Sequence, residues 1–522
     1  MPTYTYPGVY IQEVDTGNKP IEGVSTSIAG FLGIAERGPV IATFIASFAD
    51  YQRSFGSYSN EPISNTQAYL AYAVEGFFLN GGQECYVARV ASSTALFASV
   101  ALANITIQAA GPGTTGNNIG YWIQPAGIAP SDPTMFRLTI LYYSSAAVAA
   151  AAVAAKTDTS TASQVEVFDN LSINPQSSSY FAGAVNSGSN LVTVTATGAG
   201  NVAQTAGIAL LGGAGGKAGT DVALVLGDFQ GSTTDPANPT GLAALNAIDN
   251  ISIYCCPDEH FLDNAAPPAP GAIAGLLQAQ CELQLDRFAI LQSAPNAGVP
   301  AKVVPSQNSQ RGYSAFYYPW LNVANPKTDV ITLIPPGGHL AGIYARSDSN
   351  YNVAKDPANE PISGIQSLQL PIDNNTQGIL NPIGVNCLRF FKGQGNLVWG
   401  GRTTSPDPDW QYISVRRLFI YVEKSIQQGT QWVVFEPNSQ PTWARLIRSV
   451  SDFLTGLWMQ DMLQGATKDQ AFFVRCDTTT MTQTDIDSGR LIAVIGIAPV
   501  KPAEFVIFQI GQYTGGSTVT ES

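Results

Sequence analysis

The chain has 522 residues, enough for two to four domains around sizeable cores, and its 45% apolar content excludes a disordered polymer. Only 12% of residues are charged, about half the usual share, which suits either a surface buried against partners or a Gly/Ser/Thr-rich β protein with a neutral polar skin. The net charge is −13 and no basic run offers phosphate neutralisation, so nucleic acid is excluded as an expected partner.

The first segment, Tyr6-Pro7-Gly8-Val9-Tyr10-Ile11-Gln12-Glu13-Val14, is strand-like and apolar, where chain ends are normally polar and frayed. Residues 24–35 read as a buried strand. Residues 64–80 read as a helix, with Ser64 or Asn65 as N-cap, a stripe of Tyr69, Tyr72, Ala73 and Phe77, and a stop at Gly81-Gly82. The strand 85–90 follows, and strand–helix–strand order implies an α/β layer. From about residue 96 to 239, Ala, Gly, Ser and Thr dominate. The alternation at 191–197 predicts a half-exposed strand, and 146–155 a short helix. This block reads as an inserted, mostly β outer domain.

The α/β pattern returns near 240, with strands at 251–254 and 287–291 around a helix over 270–285. Tyr317, Tyr318 and Trp320 form a dense aromatic cluster, and Pro335-Pro336-Gly337-Gly338-His339 reads as a turn. A strand over 385–391 and helices over 415–427 and 442–463 come next. The last helix places Leu446, Val450, Phe453, Leu457 and Trp458 on one side, and Arg445, Arg448 and Asp452 on the other. Strands over 489–497 and 504–510 end the pattern. Residues 505–510 carry no charge and no proline, an aggregation hazard unless something pairs with them. The fold class is therefore α+β or mixed α/β, multidomain, with extended terminal arms.

Catalytic chemistry is sparse. There are two histidines, His260 and His339, which disfavours a histidine-dependent catalytic site. Cys255-Cys256 with His260 lacks a tetrahedral ligand spacing, so a structural role is favoured over a metal. His339 reads as a hydrogen-bonded structural histidine. The run 211–218 imitates a phosphate loop but has Leu211 in place of the first glycine and Ala218 in place of the magnesium-binding hydroxyl. The six cysteines are scattered and give no disulfide framework. Arg416-Arg417 could meet an acidic partner, with internal pairing or solvation as the default. Catalytic residues, metals and cofactors are all expected to be none, and the protein is not expected to be an enzyme. No basic-then-apolar leader opens the sequence, and the apolar stretches 146–155 and 491–500 are shorter than a membrane span, so folding in the cytoplasm without direct membrane insertion is expected.

Several strings taken in order give a resemblance. They are the segment 6–14, then 20–27, Asn80-Gly81-Gly82 before Cys85-Tyr86-Val87, and Tyr317-Tyr318-Pro319-Trp320. Pro335-Pro336-Gly337-Gly338-His339-Leu340-Ala341-Gly342 and Asn381-Pro382-Ile383-Gly384-Val385-Asn386 follow. The last are Val398-Trp399-Gly400-Gly401-Arg402-Thr403, Val415-Arg416-Arg417-Leu418, Trp432-Val433-Val434-Phe435-Glu436-Pro437-Asn438 and Pro499-Val500-Lys501-Pro502-Ala503-Glu504-Phe505. Together they resemble the contractile tail sheath proteins of phages and of contractile injection systems, over roughly 1–95 and 240–522. Family members more often carry Ser where Gly338 stands, a minor departure.

The resemblance implies a structural subunit that polymerises as stacked hexameric rings around an inner tube. Contraction of that sheath drives the tube through a target envelope. The implied partners are further copies of the chain, the inner tube protein, and baseplate and terminal cap proteins. The particle would assemble in the bacterial cytoplasm and belong to a phage tail or an injection device. The expected division is a linking arm over 1–20, a middle α/β domain over 21–95 plus 240–380, the insertion over 96–239, and an assembly domain over 381–522. Tyr6, Val9, Ile11 and Val14 with Glu504, Phe505, Ile507 and Ile510 would form intersubunit strands. Pro7, Gly8, Gly17 and Pro20 would flex as hinges, and Arg445 and Arg448 would either face acidic groups on the tube or pair with Asp452 or solvent. The reading from another class is a carbohydrate-binding or hydrolytic β protein of a phage particle, with Tyr317, Tyr318 and Trp320 against sugar.

Overall fold

The computed structural model describes residues 20–265, 268–295, 297 and 303–507. Its centre is a nine-stranded mixed sheet. In spatial order the strands are Glu360–Pro361, Gly395–Trp399, Val385–Phe391, Ser314–Tyr318, Phe288–Gln292, Ile253–Cys255, Ala29–Gly33, Cys85–Arg89 and Thr43–Ile45. The six from Val385–Phe391 to Cys85–Arg89 are parallel, and antiparallel strands close both sides. Parallel strands covered on both faces read as continuous apolar runs rather than alternations. Ala29–Gly33, Phe288–Gln292 and Ser314–Tyr318 are buried at every position, which is why their sequences carry no period of two.

Two helices on this sheet cross at very close range. A Cβ added to Gly338 would lie 2.3 Å from backbone atoms of Ala73, and one on Gly342 would lie 2.3 Å from the Phe77 carbonyl oxygen. Glycine at both points lets the helices Leu70–Leu79 and Gly337–Asn350 touch backbone to backbone. The expected turn at 335–339 is thus a helix start. Pro336 precedes it, and the Gly337 N–H donates to Gln292 Oε1 at 2.8 Å. His339 is buried over Gly76, with no hydrogen-bond partner at Nδ1, and burial pushes its pKa down to about 4. The ring is neutral packing, not the hydrogen-bonded histidine expected.

The helix expected over 64–80 begins only at Leu70. Glu61 Oε2 accepts from the Ile63 and Ser64 N–H groups and ties that stretch into a turn. The cap comes from far along the chain: Asp258 Oδ1 accepts the Tyr69 N–H at 2.8 Å.

Residues 96–239 hold two four-stranded antiparallel sheets with a core of their own, centred on Ile105, Ile107, Ile123, Leu138, Ile140 and Val194. The helix Ala146–Ala155 lies where composition placed it, capped by the Ser145 hydroxyl.

The expected boundary at 381 cuts the central sheet, because Val385–Phe391 and Gly395–Trp399 pair into it. The separate C-terminal core starts with the helix Ile413–Gly429 and continues through Gln440–Met459. Ile21, expected in the middle domain, packs into that core, with its side chain against Gly429. The chain therefore crosses the C-terminal unit before it enters the sheet.

Candidate assembly surface

The helix Gln440–Met459 buries Trp443, Leu446, Val450, Leu454 and Leu457 on one stripe, as its sequence period requires. Beside it lies a two-stranded antiparallel sheet, Phe472–Arg475 with Val494–Ile497. A two-stranded ribbon leaves an outer edge on each strand, and such ribbons are marginal until more strands or a partner cover them. Phe473 and Val494 are exposed on it, and Ile492 just before it. After Ile497 the chain runs beside 462–464, with Gln464 N–H donating to the Ala498 carbonyl at 2.9 Å.

The terminal segment then crosses to the edge of the central sheet. Glu504 is held there by four contacts. Arg402 donates from Nε at 2.9 Å and Nη2 at 2.6 Å, Asn381 Nδ2 at 2.6 Å, and the Tyr412 hydroxyl at 3.3 Å. Burial opposes ionisation of Glu504, but the Arg402 and Asn381 hydrogen bonds outweigh it and lower the pKa. A groove of about 760 Å³ lies between residues 502–506 and Trp399, Arg389, Gln377 and Tyr412. Beyond the clamp, Phe505, Val506 and Ile507 are exposed.

The expected strand over 504–510 is not formed by its described residues, 504–507, which make no ladder; Ile510 lies outside the described residues. Tyr6, Val9, Ile11 and Val14, with Pro7, Gly8 and Gly17, also lie outside them. Pro20 is exposed and leads directly to buried Ile21. No local signal in the sequence marks Arg402, Asn381 and Tyr412 as site residues. Two of them lay in strings that carried the resemblance, but only the fold brings them to one carboxylate.

Arg445 and Arg448 are exposed on the helix face away from the core. Arg445 reaches Glu436 at 2.8 Å and stacks over Trp432, 5.2 Å from its ring centre. Arg416 and Arg417 are buried instead. Arg416 sits over Trp410 and Tyr313 and reaches Glu423 at 3.4 Å; Arg417 pairs with Asp348. Neither is available to an acidic partner.

Ligands of parallel α/β sheets bind beyond the strand C-termini, where the strand order reverses. Here that place lies between Ala29–Gly33 and Ile253–Cys255. Asp258 fills it, with its two oxygens accepting the Ile34 and Tyr69 N–H groups, each at 2.8 Å. Burial raises its pKa to about 7. Next to it, His260 Nδ1 meets Asp263 at 2.7 Å and Nε2 meets the Gln292 carbonyl at 3.0 Å. Burial of His260 works against its charge, yet Asp263 and Glu259 prevail and raise its pKa to about 10. Among the described residues no group of three His, Cys, Asp or Glu side chains is arranged to hold a metal. The six cysteines are buried and unpaired. Tyr317, Tyr318 and Trp320 are core residues, with Trp320 Nε1 donating to the Ser293 carbonyl at 2.7 Å. Their burial removes the sugar-stacking reading of that cluster. No helix of the described residues is long and apolar enough to cross a membrane.

Comparison with known proteins bears on this surface. Two adjoining family models match, the phage tail sheath protein central domain over residues 237–404 and the phage tail sheath C-terminal domain over 405–512, together more than half the chain. A tail sheath protein of Vibrio phage KVP40 is 29% identical over 177 residues, which is 33% of this chain and 26% of that protein. The chain thus aligns with about a quarter of that relative's length. A protein named as a prophage major tail sheath protein in Pseudomonas aeruginosa is 26% identical over 297 residues, 54% of this chain and 71% of that one. A solved extracellular contractile injection system, the PVC sheath complex in its contracted state, contains a chain with the same fold. It superposes with a TM-score of 0.58 at 21% identity, over 98% of this chain and 99% of that one.

Proposed function

This chain belongs to the phage tail sheath family, and on that premise we propose that it is the repeating subunit of a contractile sheath. It polymerises as stacked hexameric rings around an inner tube, and contraction drives the tube through a target envelope. The particle is a phage tail or a contractile injection device, assembled in the bacterial cytoplasm. Its partners are further copies of itself, the inner tube, the baseplate and a terminal cap.

The observation that carries this reading is the ribbon Phe472–Arg475 with Val494–Ile497, to which no third strand is added among the described residues. An added strand from a neighbour supplies main-chain hydrogen bonds there, and alternating side chains fix its register. The arm residues Tyr6, Val9, Ile11 and Val14, and the terminal residues Phe505, Ile507 and Ile510, have the composition for that strand. Glu504 sets where the terminal arm leaves the subunit. Pro7, Gly8, Gly17 and Pro20 let the arms turn while pairing persists. Arg445 and Arg448 face the tube. A contact of one surface with a different surface on the next copy does not close on itself and so generates a helical tube. Contraction then runs downhill from a kinetically held extended state to a better-packed one.

Electron microscopy of the purified full chain tests the reading: tubes are expected. Deleting residues 1–18 should leave folded subunits that form none. Unchanged tubes from the deletion would remove the arm mechanism, and persistent monomers of the full chain at high concentration would remove the sheath.

A further inference from the structure

Phe435 is fully exposed and has a backbone φ of +68°, a left-handed conformation that bulky side chains rarely take. Such strain persists only where the surroundings enforce it. They do so here. Arg445 brackets the loop by binding Glu436 at 2.8 Å while stacking on Trp432. On the far side, Asn438 accepts from Trp443 Nε1 at 2.8 Å and donates to the Arg490 carbonyl at 3.0 Å. Val434 beside it is also exposed. The loop is a rigid mount for one aromatic ring that is fully exposed among the described residues.

The same unit carries a hollow of about 330 Å³, walled by Ile21, Tyr421, Phe453, Gly456 and Leu457 together with the polar Ser449, Asp452 and Gln460. An apolar cavity of about 150 Å³ accepts a benzene ring, so this one has room for a phenylalanine side chain. A Cβ built on Gly456 meets no atom of the described residues within 4 Å. Ring and hollow stand toward opposite ends of one helix. Phe435 lies just before Gln440–Met459, and the hollow opens beside its second half, about 20 Å along the axis at about 1.5 Å per residue. A knob at one end and a hole at the other cannot meet within a subunit.

We propose that Phe435 of one subunit seats in the hollow between Tyr421, Phe453 and Gly456 of a second copy. This contact is separate from strand addition by the arms. It rests on the reading of the chain as self-assembling, and it names the second copy as the occupant. Exposed aromatics held rigid are the usual energetic anchors of interfaces. A heterologous knob-and-hole contact propagates a helix rather than closing a dimer.

Cysteine cross-linking tests it, because the six native cysteines are buried. A Phe435→Cys chain and a Gly456→Cys chain are mixed, assembled and treated with the thiol oxidant diamide. A disulfide-linked heterodimer should form in the mixture and in neither chain alone. Phe435→Ala and Gly456→Leu should each raise the concentration needed for tubes at least tenfold while leaving the melting temperature of the subunit unchanged. Wild-type tubes without the heterodimer, or tubes from Phe435→Ala at the wild-type concentration, would overturn the contact and leave the sheath standing. Wild type that never assembles would overturn both. If removing residues 1–18 newly exposes the Gly456→Cys thiol to a maleimide in the monomer, the hole belongs to the chain's own leading segment and the proposal fails.

Discussion

Arg417 donates two hydrogen bonds to Asp348, at 2.9 and 2.6 Å, with both side chains almost fully out of water. The pair joins the helices Ile413–Gly429 and Gly337–Asn350, and thus the C-terminal unit to the central sheet. Thr26 completes it, its hydroxyl donating to Asp348 at 2.6 Å and its carbonyl accepting from Arg417 at 2.9 Å. Through these contacts the junction ties the two units to each other. Removing one partner of a buried pair leaves the other charge uncompensated, at about 3–5 kcal/mol. Arg417→Met is expected to lose about that much stability in urea denaturation. Arg417→Met with Asp348→Leu should recover most of it, and a double variant as unstable as the single would contradict this account.

Gly338→Ser should harm stability. Its Cβ would enter the backbone of Ala73 at 2.3 Å, and overpacking of this kind costs about 1–3 kcal/mol. Gly183→Ala is the control: a Cβ there meets nothing, so stability should hold or rise by up to about 1 kcal/mol. Thermal melts of the two variants should move in opposite directions or differ by several degrees.

His260 makes stability depend on alkaline pH. Its folded pKa of about 10 lies above the ordinary 6.5, so the folded state holds the proton more tightly. The stabilisation is fully present below pH 6.5 and is lost as pH rises through about 10. Urea midpoints measured from pH 6 to 10.5 should fall across that window. His260→Gln should flatten the slope, and an unchanged slope in that variant would assign the dependence elsewhere.

The Glu504 clamp works in the other direction. Its pKa is lowered, so its contribution is present above about pH 4.5 and is lost as pH falls below that value. Glu504→Gln and Arg402→Ala should each speed hydrogen exchange of the amides over 500–507 while global unfolding shifts by less than about 1 kcal/mol, since the clamp is partly solvated. Slow exchange that survives both substitutions would show that something other than this carboxylate holds the segment.

Local signals were read well where one residue's own preference decided the matter. The helix Ala146–Ala155 and the strand Val385–Phe391 lie at the boundaries their composition implied. The stripe on Gln440–Met459 buries the face its period marked. Reading failed where a residue serves a distant neighbour. Gly337-Gly338 reads as a turn in isolation, but the glycines are there for Ala73 and Phe77 across a helix crossing. Ser64 looks like a cap, but the helix starts later because Asp258, nearly two hundred positions away, supplies the acceptor. Nothing in the sequence marks Phe435, because exposure and a positive φ leave no trace in a string of apolar letters.

By itself the sequence determined the class of the molecule. Low charge, an α/β order of elements and a series of short strings resembling the sheath family are legible there, because those features follow from composition and short-range pattern. Tertiary structure alone decided which strands are neighbours, that 385–399 belongs to the central sheet, and that Arg417 faces inward to Asp348. It also decided that Glu504 is fastened to Arg402, 102 positions away. Those outcomes depend on contacts between residues from tens to a few hundred positions apart, and burial, pairing and charge compensation at such distances exist only once the chain has closed on itself.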